Sequence, residues 1–191
     1  MPDVFFVRHG PTRAKTMVGW SDVPADLSDR VTLKNLSAAL PQDALWVSSD
    51  LTRAKATARA VRSGADPDLI DARLREINLG TWELRAFDEI EAEDGARVRA
   101  FWDEPGTVRP PGGESWYDLQ ARVDAGIDDL LVRAAGAPVV VVAHFGSILT
   151  QIQRAEQLSA LEAFSHHVDN LSLTKLSYDG NWRLHFHNQR L

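Results

Sequence analysis

Five residues spread along the chain, Arg8, His9, Arg53, Glu76 and His144, have the side-chain types needed to handle a phosphoryl group. An arginine fork donates two hydrogen bonds to one phosphate and keeps its charge across the accessible pH range. A neutral imidazole with one free ring nitrogen can attack phosphorus, and a carboxyl group can protonate the departing oxygen. Two arginines and two histidines suit a phosphoryl dianion, with Glu76 on a later segment as the group to reach the leaving oxygen. Singly, each has an ordinary structural use: a strand-end histidine bonds a carbonyl, a helix arginine is solvated and a glutamate sits at the surface. Only the set carries the inference.

The elements that must position these residues can be read from hydrophobic pattern. Val4 to Val7 is an apolar run that predicts a buried strand, with Arg8 and His9 at its carboxyl end. Pro11 to Asp29 mixes Pro, Gly, Asp and Ser around Trp20 and predicts a long ordered loop before a helix from about Val31 to Leu40. Ala44 to Ser48 predicts a second strand, and an alanine-rich helix to about Ser63 carries Arg53 in its first turn. After a short apolar piece at Leu69-Ile70, the connection from Leu74 to Glu83 carries Glu76 and Trp82. A helix is expected from about Ala86 to Asp103, a Pro- and Gly-rich loop from Pro105 to Gly113, and a long helix capped by Ser115 through about Ala134. Four valines between Pro138 and Ala143 predict a strand buried on both faces, ending at His144 before another helix. Leu171 to Tyr178 and Trp182 to His187, separated by Asp179-Gly180-Asn181, predict a hairpin. Strands alternating with helices favour an α/β fold with a mainly parallel sheet and antiparallel strands at its end. Such sheets bind ligands beyond their strands' carboxyl ends, where three of these segments deliver Arg8-His9, Ser49 to Arg53 and His144.

Bulk composition narrows the partners. The 191 residues, 44% of them apolar, fit one domain, expected to span 1–191 with a cap-like insertion around 82–116. Twenty-seven acidic against twenty-one basic residues give a formal charge of -6, which disfavours nucleic acid or an anionic membrane surface as partner. No apolar run approaches a bilayer span and no secretory leader is evident, so a cytoplasmic protein is expected. Without cysteine, chemistry must rest on histidine, carboxylates and hydroxyls.

These residues lie in segments that resemble the histidine phosphatase superfamily, the phosphoglycerate mutase-like family. The resemblance runs through Arg8-His9-Gly10-Pro11-Thr12, Gly19-Trp20-Ser21-Asp22, Ser48-Ser49-Asp50-Leu51-Thr52-Arg53-Ala54, and Leu74 to Glu83. Pro111-Gly112-Gly113-Glu114-Ser115 and Ala143-His144-Phe145-Gly146 complete it, over about three quarters of the chain. It implies a three-layer α/β/α sandwich with a mixed central sheet. It also implies phosphorylation of His9, phosphoryl binding by Arg8, Arg53 and His144, and acid catalysis by Glu76. Glu76 must then hold a proton as the ester binds and afterwards act as base toward water. A small phosphorylated metabolite as substrate, no cofactor or metal, and a possible homodimer are further expectations of the resemblance.

Three positions depart from the family pattern. Phe145 stands where a second Gly usually follows the histidine, Leu84 where Gly is common after Trp-Glu, and Lys15 or a neighbour where many members carry Asn. Thr12, Lys15, Trp20, Trp82 and Phe145 are the candidates for substrate contact, the two tryptophans because they lie in the two site-bearing connections and otherwise because of their place in the motifs. Core packing is the competing reading for both tryptophans. His166-His167 with Asp169, and His185 with His187, have metal-ligand side-chain types, but a polar surface role is the expectation for them. Two functional alternatives remain: phosphoryl return to substrate as in a mutase, and a phosphate-binding or interaction module without turnover.

Overall fold

The valine run forms the middle of the sheet. In the computed structural model, which describes residues 2–191, strand β4 (Val139–Ala143) is buried along its whole length. It pairs in parallel with β1 (Asp3–Arg8) on one side and β2 (Leu45–Ser48) on the other. The two-residue β3 (Leu69–Ile70) extends the sheet beyond β2. Beyond β1, the hairpin of β5 (Leu173–Tyr178) and β6 (Trp182–Gln189) adds two antiparallel strands, giving the order β3-β2-β4-β1-β5-β6. The expected mixed α/β fold is therefore present.

Side chains alternate across a strand, so β4 feeds two cores. Val140 and Val142 join Val7 and Trp46 under α1 (Arg30–Ala39) and α2 (Thr52–Val61), whose Leu33, Leu36, Ala54, Ala58 and Val61 close that face. Val139 and Val141 join Val4 and Phe6 on the opposite face. There they meet α3 (Phe87–Asp103), α4 (Trp116–Ala134) and α5 (Phe145–Glu156). These are the three layers.

Local signals account for most boundaries. Asp29 caps α1 by accepting from the Thr32 amide, and Ser115 caps α4 by accepting from Asp118, whose carboxylate returns a bond to the Ser115 amide. The helix expected over Ala86 to Asp103 breaks at Asp94, where φ is -139°. A short helix, α6 (Ala160–Phe164), was not expected from the sequence. It is a single capped turn between Ser159 and Ser165, too short to show helical periodicity.

Candidate active site

Sheet register brings the two histidines together. Arg8 pairs with Ala143, so the next residue on each strand, His9 and His144, leaves the sheet at the same edge. The His9 amide still bonds Ala143 O at 3.0 Å, and the two imidazole centroids stand 5.0 Å apart. Ser48 pairs with Val142, and the Ser49 amide donates to Val142 O. The chain then turns into α2, which carries Arg53 in its first turn at the same edge.

His9 is held neutral. Its Nδ1 lies 2.6 Å from Gly10 O, and a carbonyl only accepts, so Nδ1 carries the proton and Nε2 keeps its lone pair. Burial pulls its pKa down to about 3, the Gly10 bond opposing and the Arg53 and Arg8 charges adding to the fall. His144 is fully buried, and burial with the neighbouring His9, Arg53, Arg8 and Arg122 holds it well below the ordinary imidazole value. Neither of its ring nitrogens has a hydrogen-bond partner among the described residues, and the same holds for Arg8 Nε. Buried polar atoms without partners are uncommon, and at a strand edge beside a cavity a polar ligand can satisfy them.

Arg53, 1% exposed, is aimed by the loop it touches. Its terminal nitrogens donate to Ser21 O at 2.8 Å and Gly19 O at 2.6 Å. That loop is gathered in turn by Glu83, whose carboxylate accepts from the amides of Gly19, Trp20 and Ser21 and from Ser21 Oγ. Burial alone would raise the Glu83 pKa, but these hydrogen bonds outweigh it and the group sits below its ordinary value. Arg8 donates to Val168 O at 2.5 Å and stacks over the Phe145 ring, 5.3 Å from its centroid.

Glu76 reaches the same edge from the connection after β3. Its carboxylate accepts from the Ile77 amide at 2.9 Å and from the Gly146 amide at 3.0 Å, in the first turn of α5. A helix N-terminus offers such unpaired donors and a favourable dipole. The approach demands glycine at 146, since a Cβ there would lie 2.4 Å from Glu76 Oε1. The main chain of Glu76 is fixed from behind: Trp20 Nε1 donates to its carbonyl at 2.7 Å and Arg122 at 3.1 Å. Arg122 also bonds the carbonyls of Arg73 and Arg75 and pairs with Glu114.

A cavity of 210 Å³ adjoins this cluster and is lined by Arg8, Glu76 and Phe145 among others. The structure thus places Phe145 on the cavity wall beside Arg8 and Glu76. The other expected contacts lie elsewhere. Trp82 is 2% exposed and packs edge-on against Phe101 in the core, so it is not a contact residue. Trp20 is a strut for Glu76, its ring 4.6 Å from the Arg75 guanidinium, and it does not line the cavity. Thr12 is half-buried and Lys15 exposed, and neither lines the cavity, which their loop reaches only at Met17 and Val18. His185 meets Ser177 Oγ at 2.8 Å while His187 meets the His166 ring, so these histidines do not converge. Among the described residues, no three His, Cys, Asp or Glu residues are grouped to hold a metal ion, and no helix is long and apolar enough to cross a membrane.

Several residues that shape the site had no individual signal. Arg122 is one of many charged positions on an amphipathic helix, and Glu83 and Gly146 were visible only inside their motifs. Thr57, which accepts from the Gly10 amide at 2.9 Å, and Asn170, which donates to His9 O at 2.8 Å, lie far from His9 in sequence.

A mixed sheet carrying two buried histidines, two arginines and a carboxylate at one edge defines the histidine phosphatase fold and site. The chain belongs to the histidine phosphatase superfamily (branch 1), whose sequence profile matches residues 4–190. Its fold matches YhfR of Bacillus stearothermophilus with a TM-score of 0.92 at 27% identity, covering 100% of this chain and 98% of that one. A mycobacterial glucosyl-3-phosphoglycerate phosphatase, Rv2419c, solved with VO3, matches at 31% identity and a TM-score of 0.84, covering 98% of this chain and 99% of that one. The bifunctional protein Rv2228c of Mycobacterium tuberculosis is 32% identical over 166 residues, which are 85% of this chain. That match covers only 43% of Rv2228c, so the chain spans under half the length of that relative.

Proposed function

We propose that the chain hydrolyses phosphomonoesters through a phosphohistidine formed on His9, without a metal ion. The observation that carries this reading is the His9 imidazole, kept neutral by burial and fixed by Gly10 O so that Nε2 holds a free lone pair. Nε2 attacks phosphorus in line as the ester P–O bond breaks, and Glu76 gives its proton to the departing alcohol oxygen. Arg8, Arg53 and a nitrogen of His144 meet the charge on the remaining oxygens. In the second half, Glu76 takes a proton from water while the water oxygen bonds phosphorus and the N–P bond breaks. Phosphate leaves, His9 is neutral and Glu76 is again protonated. That the Rv2419c neighbour is named as a phosphatase supports this assignment.

The test is phosphate release from 4-nitrophenyl phosphate. The expected result is turnover that falls about 10⁴-fold or more in His9→Ala, the scale of removing an attacking group. Tight binding without release by the unmodified protein would instead favour a phosphate-binding module. Isomerisation of 3-phosphoglycerate without phosphate release would favour a mutase.

A further inference from the structure

We infer that the leaving group accepted here is uncharged and apolar, an aryl or alkyl group rather than a carboxylated or polyhydroxylated one. This rests on the hydrolase reading above and adds the substrate class to it. In-line attack fixes the direction. With phosphorus at His9 and the leaving oxygen at Glu76, the organic group must extend beyond Glu76, and the space that Glu76 borders is the 210 Å³ cavity.

The walls of that cavity decide what fits. Apart from Arg8 and Glu76, its side chains are apolar, chiefly Ile77, Leu79, Phe101, Trp102, Phe145 and Phe164. The rings interlock: Phe101 and Trp102 meet edge-to-face at 5.0 Å, and Trp102 and Phe164 at 6.0 Å. An incoming ring can join such an array with favourable edge and face contacts. The volume exceeds the roughly 150 Å³ of an engineered apolar cavity that takes benzene. One or two rings, or a chain of several carbons, would therefore be accommodated.

Charged alternatives meet no partner. Arg8 is the one cation on the wall, and it is committed to the phosphoryl group, with its guanidinium over Phe145. A carboxylate on the leaving group would lie beside Glu76, which becomes negative as it gives up its proton. Sugar hydroxyls would lose their water without gaining acceptors from these rings. Phe145 makes this selection specific to the chain, because a glycine at that position would leave the wall between Arg8 and the cavity open.

The test uses n-alkyl phosphates from ethyl to hexyl, whose leaving oxygens differ little in basicity. Transfer of each methylene into the cavity should raise kcat/KM about three- to fourfold until the space is filled. Hexyl phosphate should then exceed 3-phosphoglycerate and glucose 6-phosphate at least tenfold. Trp102→Ala, at a 36% exposed position on the rim, should flatten the series, and Phe145→Ala should do the same. A flat or falling series, or faster turnover of the two polar esters, overturns the inference and leaves the hydrolase reading intact. Phosphate release from none of these esters removes both.

Discussion

The two sides of the site are built by different means. On the phosphoryl side, His9, His144 and Arg53 are almost fully buried and fixed by sheet register and main-chain carbonyls. On the proposed leaving-group side, Phe101, Trp102, Phe145 and Phe164 come from three helices and keep partial exposure at Trp102, Phe145 and Phe164. The first side is polar and set by hydrogen bonds of defined direction. The second is apolar and set by packing, which is non-directional and tolerates change of shape. The difference teaches that, in the proposed reaction, the attacking and phosphoryl-binding groups are anchored at the strand ends, while the leaving group meets a wall set by helix packing.

Glu76 stands on the boundary between the two sides, and disturbing it should have the largest effect on the contrast between leaving groups. In Gly146→Ala the added Cβ would lie 2.4 Å from Glu76 Oε1 and 3.0 Å from Leu119 Cδ2, so the carboxyl must move. Displacement of a reacting group by about 1 Å costs on the order of 10²-fold in rate. The expected outcome is that loss for alkyl phosphates and a much smaller one for 4-nitrophenyl phosphate, whose leaving group needs little protonation. Glu76→Gln should reproduce the pattern. Equal slowing across leaving groups would remove Glu76 from the acid role.

Acidification should separate the sides next, since the buried histidines lie on only one of them. Well above pH 6.5 neither His9 nor His144 binds a proton in the folded or the unfolded chain, and stability from this source is fully present. Below it the unfolded chain takes up protons that folded His9 refuses until about pH 3, and His144 also refuses them. Stability is therefore lost as pH falls through that window, by up to about 1.4 kcal/mol per pH unit for each histidine. Urea unfolding at pH 6.5, 6 and 5 should show this slope, and His144→Asn should make it shallower. An unchanged slope in that variant would contradict the assignment of burial as the cause.

The smallest expected effect lies on the apolar side. Leu84 has φ of +60°, a left-handed conformation that favours glycine, and its amide bonds the carbonyl of Met17, a residue of the cavity wall. Leu84→Gly relieves that strain at the cost of a more flexible unfolded chain. A net gain of up to about 1 kcal/mol, or a rise of roughly 2–4 °C in Tm, is expected with turnover unchanged. A fall in Tm would show that Leu84 contributes packing that outweighs its backbone strain.

What could be read from the sequence follows the same division. Periodicity alone located β1 and β4, because a strand buried on both faces is an uninterrupted apolar run, and their carboxyl ends delivered Arg8, His9 and His144. The apolar cavity was not visible, since its walls combine Met17, Phe101, Phe145 and Phe164 from distant segments by packing rather than by motif. Trp20 and Trp82 show why. An aromatic residue in a site-bearing loop can face the ligand or support the loop from behind, and composition is the same in both cases. Here neither ring lines the cavity: Trp20 donates to the Glu76 carbonyl and Trp82 packs edge-on against Phe101 in the core.

The account is tested most directly by trapping the covalent intermediate. Enzyme mixed with an equal amount of phosphorus-labelled 4-nitrophenyl phosphate and quenched in base within milliseconds should carry acid-labile phosphate on the peptide containing His9, formed no more slowly than turnover. Phosphate release with no label on the protein, or label on His144 instead, would contradict it.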